Sequence, residues 1–201
     1  MSTALPPTFQ TAAEALPKKR FSREEVEYLL RSGFFDGQRY ELIDGELLDK
    51  MGQNPPHANA IRLTQRRLGA FIDPSLIQAQ LPIEAGAADR ERSLPEPDLA
   101  VLRELKADYD TRHPRGDELL LVIEVSDTTA AFDLSRKAAL YASAGVREYW
   151  VLDLPRRMLV VHRQPFGATY RVVETFTEGD TVSLENRTES VLVSDLFPAR
   201  S

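Results

Sequence analysis

Two carboxylates and one amine carry the chemistry legible in this chain: Asp98 in PEPDLAVL, Glu124 in ELLLVIEVS and Lys137 in DLSRKAALYASAGV. The acids fall at the ends of apolar runs with strand character, and the lysine falls on a run with helical spacing. Like charges brought together in an interior are unfavourable unless something neutralises them. A divalent cation would do so, and two carboxylates are hard oxygen donors suited to magnesium or manganese. With an amine close by, such a set could cut a phosphodiester. Each residue also has a plainer reading. Glu124 could be a buried acid paired with an arginine, and Asp98 a turn residue after proline. Lys137 could form a surface ion pair with Asp133, four residues earlier. In a third, purely structural reading, Glu124 and Lys137 are a buried ion pair in direct contact, with no room for an ion.

The elements that must position these residues follow from patterning. Ser22 and Glu25 form a capping box, which predicts a helix over Ser22–Arg31 that stops at Gly33. Asp44-Gly45 between YELI and ELL predicts a two-residue hairpin with Ile43 facing Glu46, Leu42 facing Leu47 and Glu41 facing Leu48. Alternation then places Glu41 and Glu46 on one side, so Glu41 is a further candidate acid, with a solvent-facing strand residue as the alternative. Pro55-Pro56 precedes a helix from about His57 to Ile72, with Ile61, Leu68 and Ile72 inward and Arg62 and Arg66 on one exposed stripe. Strands are expected over Leu76–Ile83, Asp98–Leu102, Leu119–Val125 and Glu148–Asp153. Asp133 is expected to cap a helix over Leu134–Ala144 that Gly145 ends. Strand, helix, strand at this spacing suggests a crossover between parallel strands. Hairpin-like strands follow at 158–163, 169–176, 181–184 and 191–196.

Glu124 is the most informative of these residues. It follows LLLVI in a strand with the all-apolar character of one covered on both faces. A lone carboxylate there costs several kcal/mol or takes up a proton. His57, near a helix start, reads as a structural or loop histidine rather than a ligand or base. His113 reads as loop and His162 as strand, and no zinc-site spacing occurs. Lys18-Lys19-Arg20, Arg62/Arg66/Arg67 and Arg156-Arg157 are candidate phosphate contacts, or simply solvated surface.

Composition narrows the class. The 201 residues suit one domain, expected over 21–197 behind a disordered tail at 1–20. There is no cysteine, which removes disulfides and thiolate metal sites. No run reaches the roughly 20 apolar residues that span a membrane, and the first residues lack a signal-peptide core, so a cytoplasmic protein is expected. A net charge of -6 argues against a general nucleic-acid coating protein. It leaves room for a nuclease with a local basic groove and strongly salt-sensitive DNA binding.

The run RYELIDGELL, His57 after a proline loop, PEPDLAVL, HPRGDELLLVIEVSDTT and FDLSRKAALYASAGVREYWVLDL resembles the Uma-type restriction-endonuclease family, within the PD-(D/E)XK nuclease superfamily. The match spans about Phe21 to Phe197. The resemblance implies an α/β (mixed α+β) restriction-endonuclease-like core, a mixed central sheet flanked by helices. It implies a magnesium- or manganese-dependent endonuclease acting on DNA, with Glu41, Asp98 and Glu124 as metal ligands and Lys137 completing the catalytic set. In the superfamily the lysine stands two residues after the second acid. Here that position is Ser126, and the lysine comes from the following helix. A catalytically inactive binding module on the nuclease fold is the alternative. A homodimer is expected, since related nucleases pair to cut two strands.

Overall fold

A computed structural model describes residues 18–50 and 54–200. Most of the expected tail, residues 1–17, lies outside the described residues. Lys19 and Arg20, also assigned to the tail, are held at their side chains, Lys19 by Glu25 (2.6 Å) and Arg20 by Asp44 (3.1 Å).

The chain runs α1 (Arg23–Arg31), β1 (Tyr40–Ile43), β2 (Glu46–Asp49), α2 (Pro55–Leu68), β3 (Ile77–Ala79), β4 (Leu99–Leu102) and β5 (Leu119–Ser126). A composite helix follows: α3 (Ala130–Phe132), a π-helical segment (Asp133–Lys137) and α4 (Ala138–Ser143). Then come β6 (Glu148–Asp153), β7 (Met158–Phe166), β8 (Thr169–Thr177), β9 (Thr181–Ser183) and β10 (Ser190–Leu192). The central sheet has six strands in the order β3-β4-β5-β6-β7-β8. Only its β5–β6 pair is parallel; the other neighbours are antiparallel. This is the mixed sheet the sequence predicts, with the composite helix making the crossover between the parallel strands. Among the described residues no helix is long and apolar enough to cross a membrane.

Strand alternation sorts the two faces. Leu99, Val101, Leu121, Ile123, Trp150 and Leu152 face α2 and the β9–β10 hairpin. Ala100, Val122, Tyr149 and Val151 face α4, where Ala138, Tyr141 and Ala142 pack. Asp98 and Glu124 have the parity of Ala100 and Val122, so both belong to the face under the composite helix. The β4–β5 register pairs Leu99 with Ile123 and Ala100 with Val122. Continued by one residue, it sets Asp98 opposite Glu124. Two acids 26 positions apart in sequence are thus neighbours by register alone.

Local chemistry explains the other elements. Ser22 and Glu25 form the expected capping box on α1. The β1–β2 hairpin has the register read from the sequence, turning at Asp44 and Gly45, both at positive φ. It lies beside the 92–96 segment through Leu42–Leu94 backbone hydrogen bonds (3.4 and 2.8 Å). Two expectations are corrected. The long strand over Leu76–Ile83 is only Ile77–Ala79, because Gln80 takes a positive φ and Pro82 offers no donor. The helix expected from Leu134 begins at Ala130 after Thr129, so Asp133 is no N-cap. It is buried instead, and accepts from Ser126 Oγ and Thr129 Oγ1, both at 2.6 Å.

Two glycines fix the far end of α4. A Cβ on Gly116 would stand 2.3 Å from the Ala144 carbonyl oxygen, and one on Gly86 2.6 Å from that of Ser143. Both obstacles are backbone, so a side chain would push the helix bearing Lys137 off the sheet. Gly116→Ala should therefore destabilise the protein by about 1–3 kcal/mol, the usual cost of overpacking. Gly179→Ala, which meets nothing within 4 Å, should be near neutral. Urea unfolding of both variants checks this, and equal midpoints would show that the glycine contact is not limiting.

Candidate active site

Asp98 and Glu124 line one pocket of about 390 Å³ together with Glu41 and Lys137. Three elements bring them there. Asp98 enters β4, Glu124 stands two residues before the end of β5, and Lys137 closes the π-helical segment. Glu41 comes from the separate hairpin. Its face, with Ile43, Glu46 and Leu48, packs against the composite helix, where Ile43 meets Leu140 and Phe132. Glu41 then reaches Lys137, and Glu46 reaches Arg136 (2.8 Å).

The Lys137 ammonium lies 2.8 Å from Glu41 Oε1, 2.9 Å from Glu124 Oε1 and 4.0 Å from Asp133 Oδ1. All four side chains are buried. The surface ion pair considered for Asp133 and Lys137 is therefore an interior one. The Tyr141 hydroxyl donates to Glu124 Oε1 at 2.6 Å, and Glu41 Oε2 accepts from the Glu96 N–H at 3.2 Å. Burial pushes the Glu124 carboxyl above its ordinary value, and Asp98 and Asp133 add to the push against the pull of Lys137 and Lys50. Burial alone would lower Lys137, but the surrounding carboxylates raise it well above the usual lysine range. The amine is held in its charged form.

Asp98 is held differently. Its Oδ2 accepts from the Val125 N–H at 2.8 Å and lies 3.3 Å from His57 Nε2. Its Oδ1 is buried and without a hydrogen-bond partner; Lys50 Nζ stands 3.9 Å away. Burial would raise the Asp98 carboxyl, but His57, Lys50 and the Val125 N–H together hold it below its ordinary value. His57 is lowered by burial but raised further by Asp98, and lies above its ordinary 6.5.

Lys50 and His57 are the two site residues that sequence reasoning missed. His57 occupies the first turn of α2, whose Asn54 cap accepts from the His57 N–H (3.0 Å). Its place beside Asp98 depends on α2 crossing the end of β4, which no local pattern encodes. Lys50 directly follows β2 and donates to the Glu96 carbonyl (2.9 Å). The only signal for either was proximity to the hairpin and the double proline. Ser126, at the position where the superfamily carries its lysine, is buried and bonded to Asp133, so no amine comes from β5. The candidate phosphate contacts elsewhere are largely engaged: Arg67 with Asp195 (3.1 Å), Arg156 with Asp153 (2.7 Å) and Arg157 with Glu178 (2.5 Å).

The sequence profile described as "Uma2: Putative restriction endonuclease" matches residues 24–194. The chain belongs to the Uma2 family. A solved structure from Anabaena variabilis ATCC 29413, described as "a putative nuclease belonging to DUF820", is similar with a TM-score of 0.61. It shares 16% sequence identity over 79% of this chain and 89% of that one, a likeness that bears on the fold alone. No curated protein matches the chain. In this Uma2 protein Asp98, Glu124, Glu41 and Lys137 line one pocket.

The His57–Asp98 contact has a pH signature. A raised histidine contributes stability that is fully present below 6.5 and lost as pH rises through its folded-state value. A depressed aspartate contributes stability above 3.8 that is lost as pH falls through its folded-state value. The pair therefore stabilises most between those limits. His57→Gln should lower the melting temperature more at about pH 5.5 than at about pH 8.5, read by scanning calorimetry. An equal or larger deficit at the higher pH would contradict the pairing.

Proposed function

We propose that this Uma2 protein is a divalent-metal-dependent endonuclease that hydrolyses phosphodiester bonds in DNA, using Mg²⁺ or Mn²⁺. The observation that carries this reading is the buried Oδ1 of Asp98, which has no hydrogen bond and lies 3.9 Å from the Lys50 ammonium, in the pocket that also holds Glu124. A buried acceptor without a partner costs about 1–3 kcal/mol, and a cation is the ligand its chemistry suits. The donor set agrees. Six carboxyl groups line the pocket (Glu41, Asp49, Asp98, Glu124, Asp127 and Asp133) against two lysines and one histidine. Among the described residues no three acidic or histidine side chains stand close enough to hold an ion as they are. The Lys137 ammonium sits between Glu41 and Glu124.

Asp98 and Glu124, helped by Glu41, would hold the ion. Bound there, it supplies Lewis acidity, favouring deprotonation of a water and offsetting charge on the phosphate oxygens. The protein's own groups do the rest. Asp98 is kept ionised by the Val125 N–H, His57 and Lys50. Lys137 offers positive charge to the pentacoordinate transition state. Lys50 and His57 stand at the same pocket as further cationic contacts for the phosphate. Two copies of the chain would supply one site per strand of a duplex, and we include a homodimer in the reading.

The direct Lys137–Glu124 contact at 2.9 Å is the one that the purely structural ion-pair reading expects, while a second reading, a non-catalytic binding module on the nuclease fold, is favoured by Ser126 in place of a strand lysine and by the net charge of -6. Plasmid cleavage separates the two. Wild type with Mg²⁺ or Mn²⁺ should nick DNA, and Asp98→Asn should lower the rate by about 100-fold or more, the scale of losing an electrostatic stabiliser. Lys137→Ala should also fall steeply. Equal rates in all three would mean a contaminating nuclease and end the proposal. Manganese calorimetry gives the independent arm: binding that disappears in Asp98→Asn supports the enzyme, and no binding in wild type supports the module.

A further inference from the structure

The lysine assigned to catalysis is walled in. Its ammonium is buried, with Glu41 on one side, Glu124 on another and Asp133 beyond. In that position it occupies Oε1 of Glu124 and is turned from any phosphate by the carboxylates around it. Both donors recorded on Glu124, Lys137 and Tyr141, fall on the same oxygen, Oε1. Asp98 Oδ1, in the same pocket, has no hydrogen bond at all. The site thus has one acid with an oxygen free of hydrogen bonds, flanked by Lys50 and His57, and two acids that share the Lys137 ammonium.

We propose that Lys137 is a placeholder cation: its ammonium neutralises Glu41 and Glu124 in the metal-free protein, yields Glu124 when a divalent ion joins Asp98 there, and turns toward the pocket while still held by Glu41. This rests on reading the pocket as a divalent-cation site. Loading of the ion and presentation of the amine become one event, so the amine is offered to substrate only when the ion is in place.

Three features support the exchange. Burying two facing carboxylates without a cation is strongly unfavourable, so the metal-free fold needs something in the lysine's place. Glu41 Oε2 is anchored by the Glu96 N–H, on a hairpin outside the central sheet, so Glu41 can keep its hold on the amine while Glu124 changes partner. Lys137 closes the π-helical segment Asp133–Lys137. π-helical turns are rare and occur frequently at functional sites.

The test is manganese calorimetry and thermal melting on the full chain, wild type against Lys137→Met, which keeps the length and removes the charge. With the internal competitor gone, Lys137→Met should bind Mn²⁺ about tenfold or more tightly, a difference of about 1.4 kcal/mol. Mn²⁺ should also raise its melting temperature more than it raises that of wild type. Amine acylation of wild type, read by mass spectrometry at Lys137, gives a measurement that needs no variant: Mg²⁺ should increase labelling several-fold. This decides the matter if Lys137→Met does not fold. Unchanged or weaker Mn²⁺ binding by Lys137→Met, or labelling unaffected by Mg²⁺ in a wild type that binds it, would overturn the placeholder and leave the metal reading standing. Binding by neither protein would overturn both.

Discussion

A carboxylate in the middle of a covered sheet costs several kcal/mol unless its charge is met, and Glu124 is such a group. The buried ammonium of Lys137, shared between Glu124 and Glu41, is the contact on which the rest of the architecture depends. It ties three otherwise separate pieces together: the central strand β5, the helical crossover after it, and the β1–β2 hairpin, which belongs to a different sheet. Remove the charge, and two carboxylates face each other in the interior with only Tyr141 and the Glu96 N–H to satisfy them. Buried pairs of this kind are poor evidence of net stability, because isosteric apolar packing often does as well. Their presence therefore asks for another reason, and a site that must hold charge in one state and exchange it in another is such a reason.

The arrangement also gives Ser126 a structural task. With Ser126 on β5, the strand delivers a hydroxyl, and that hydroxyl is used to fix Asp133 (2.6 Å). Asp133 in turn lies along the path of the lysine, 4.0 Å from its ammonium. Moving the amine from strand to helix gives it a longer reach and a second anchoring acid. It also makes its position sensitive to how α4 seats on the sheet, which is where Gly86 and Gly116 lie against the helix end.

Much of this was legible in residue order, and for identifiable reasons. The hairpin register followed from Asp-Gly between apolar runs, and with it the shared side of Glu41 and Glu46. The apolar run before Glu124 signalled a buried acid in need of a partner. Alternation set Glu41 on the side of Glu46, whereas the shared face of Asp98 and Glu124 follows from the β4–β5 register, which residue order does not give. The helix was harder. Asp133 looks like a cap because aspartate before an apolar helical run usually is one; the actual start after Thr129 and the π-helical segment depend on Ser126 and Thr129 reaching Asp133 from outside the helix. His57 and Lys50 were passed over for a related reason. Their relation to Asp98 is set by how α2 and the end of β2 pack around β4, a tertiary fact without a local signature.

Asp98 shows why the missed residues matter as much as those anticipated. The sequence offers it as a turn residue after proline, and by itself that is all it is. In the fold one of its oxygens is claimed by the Val125 N–H and His57, while the other has no hydrogen bond, with Lys50 nearby but not bonded. The protein thus spends two cationic side chains keeping one aspartate ionised and oriented, and at the same time occupies the neighbouring glutamates with a lysine. A structural network would be expected to satisfy every buried polar atom before adding charge. This one leaves Asp98 Oδ1 and His57 Nδ1 without a hydrogen bond where the charges converge, as a pocket that takes a polar ligand would.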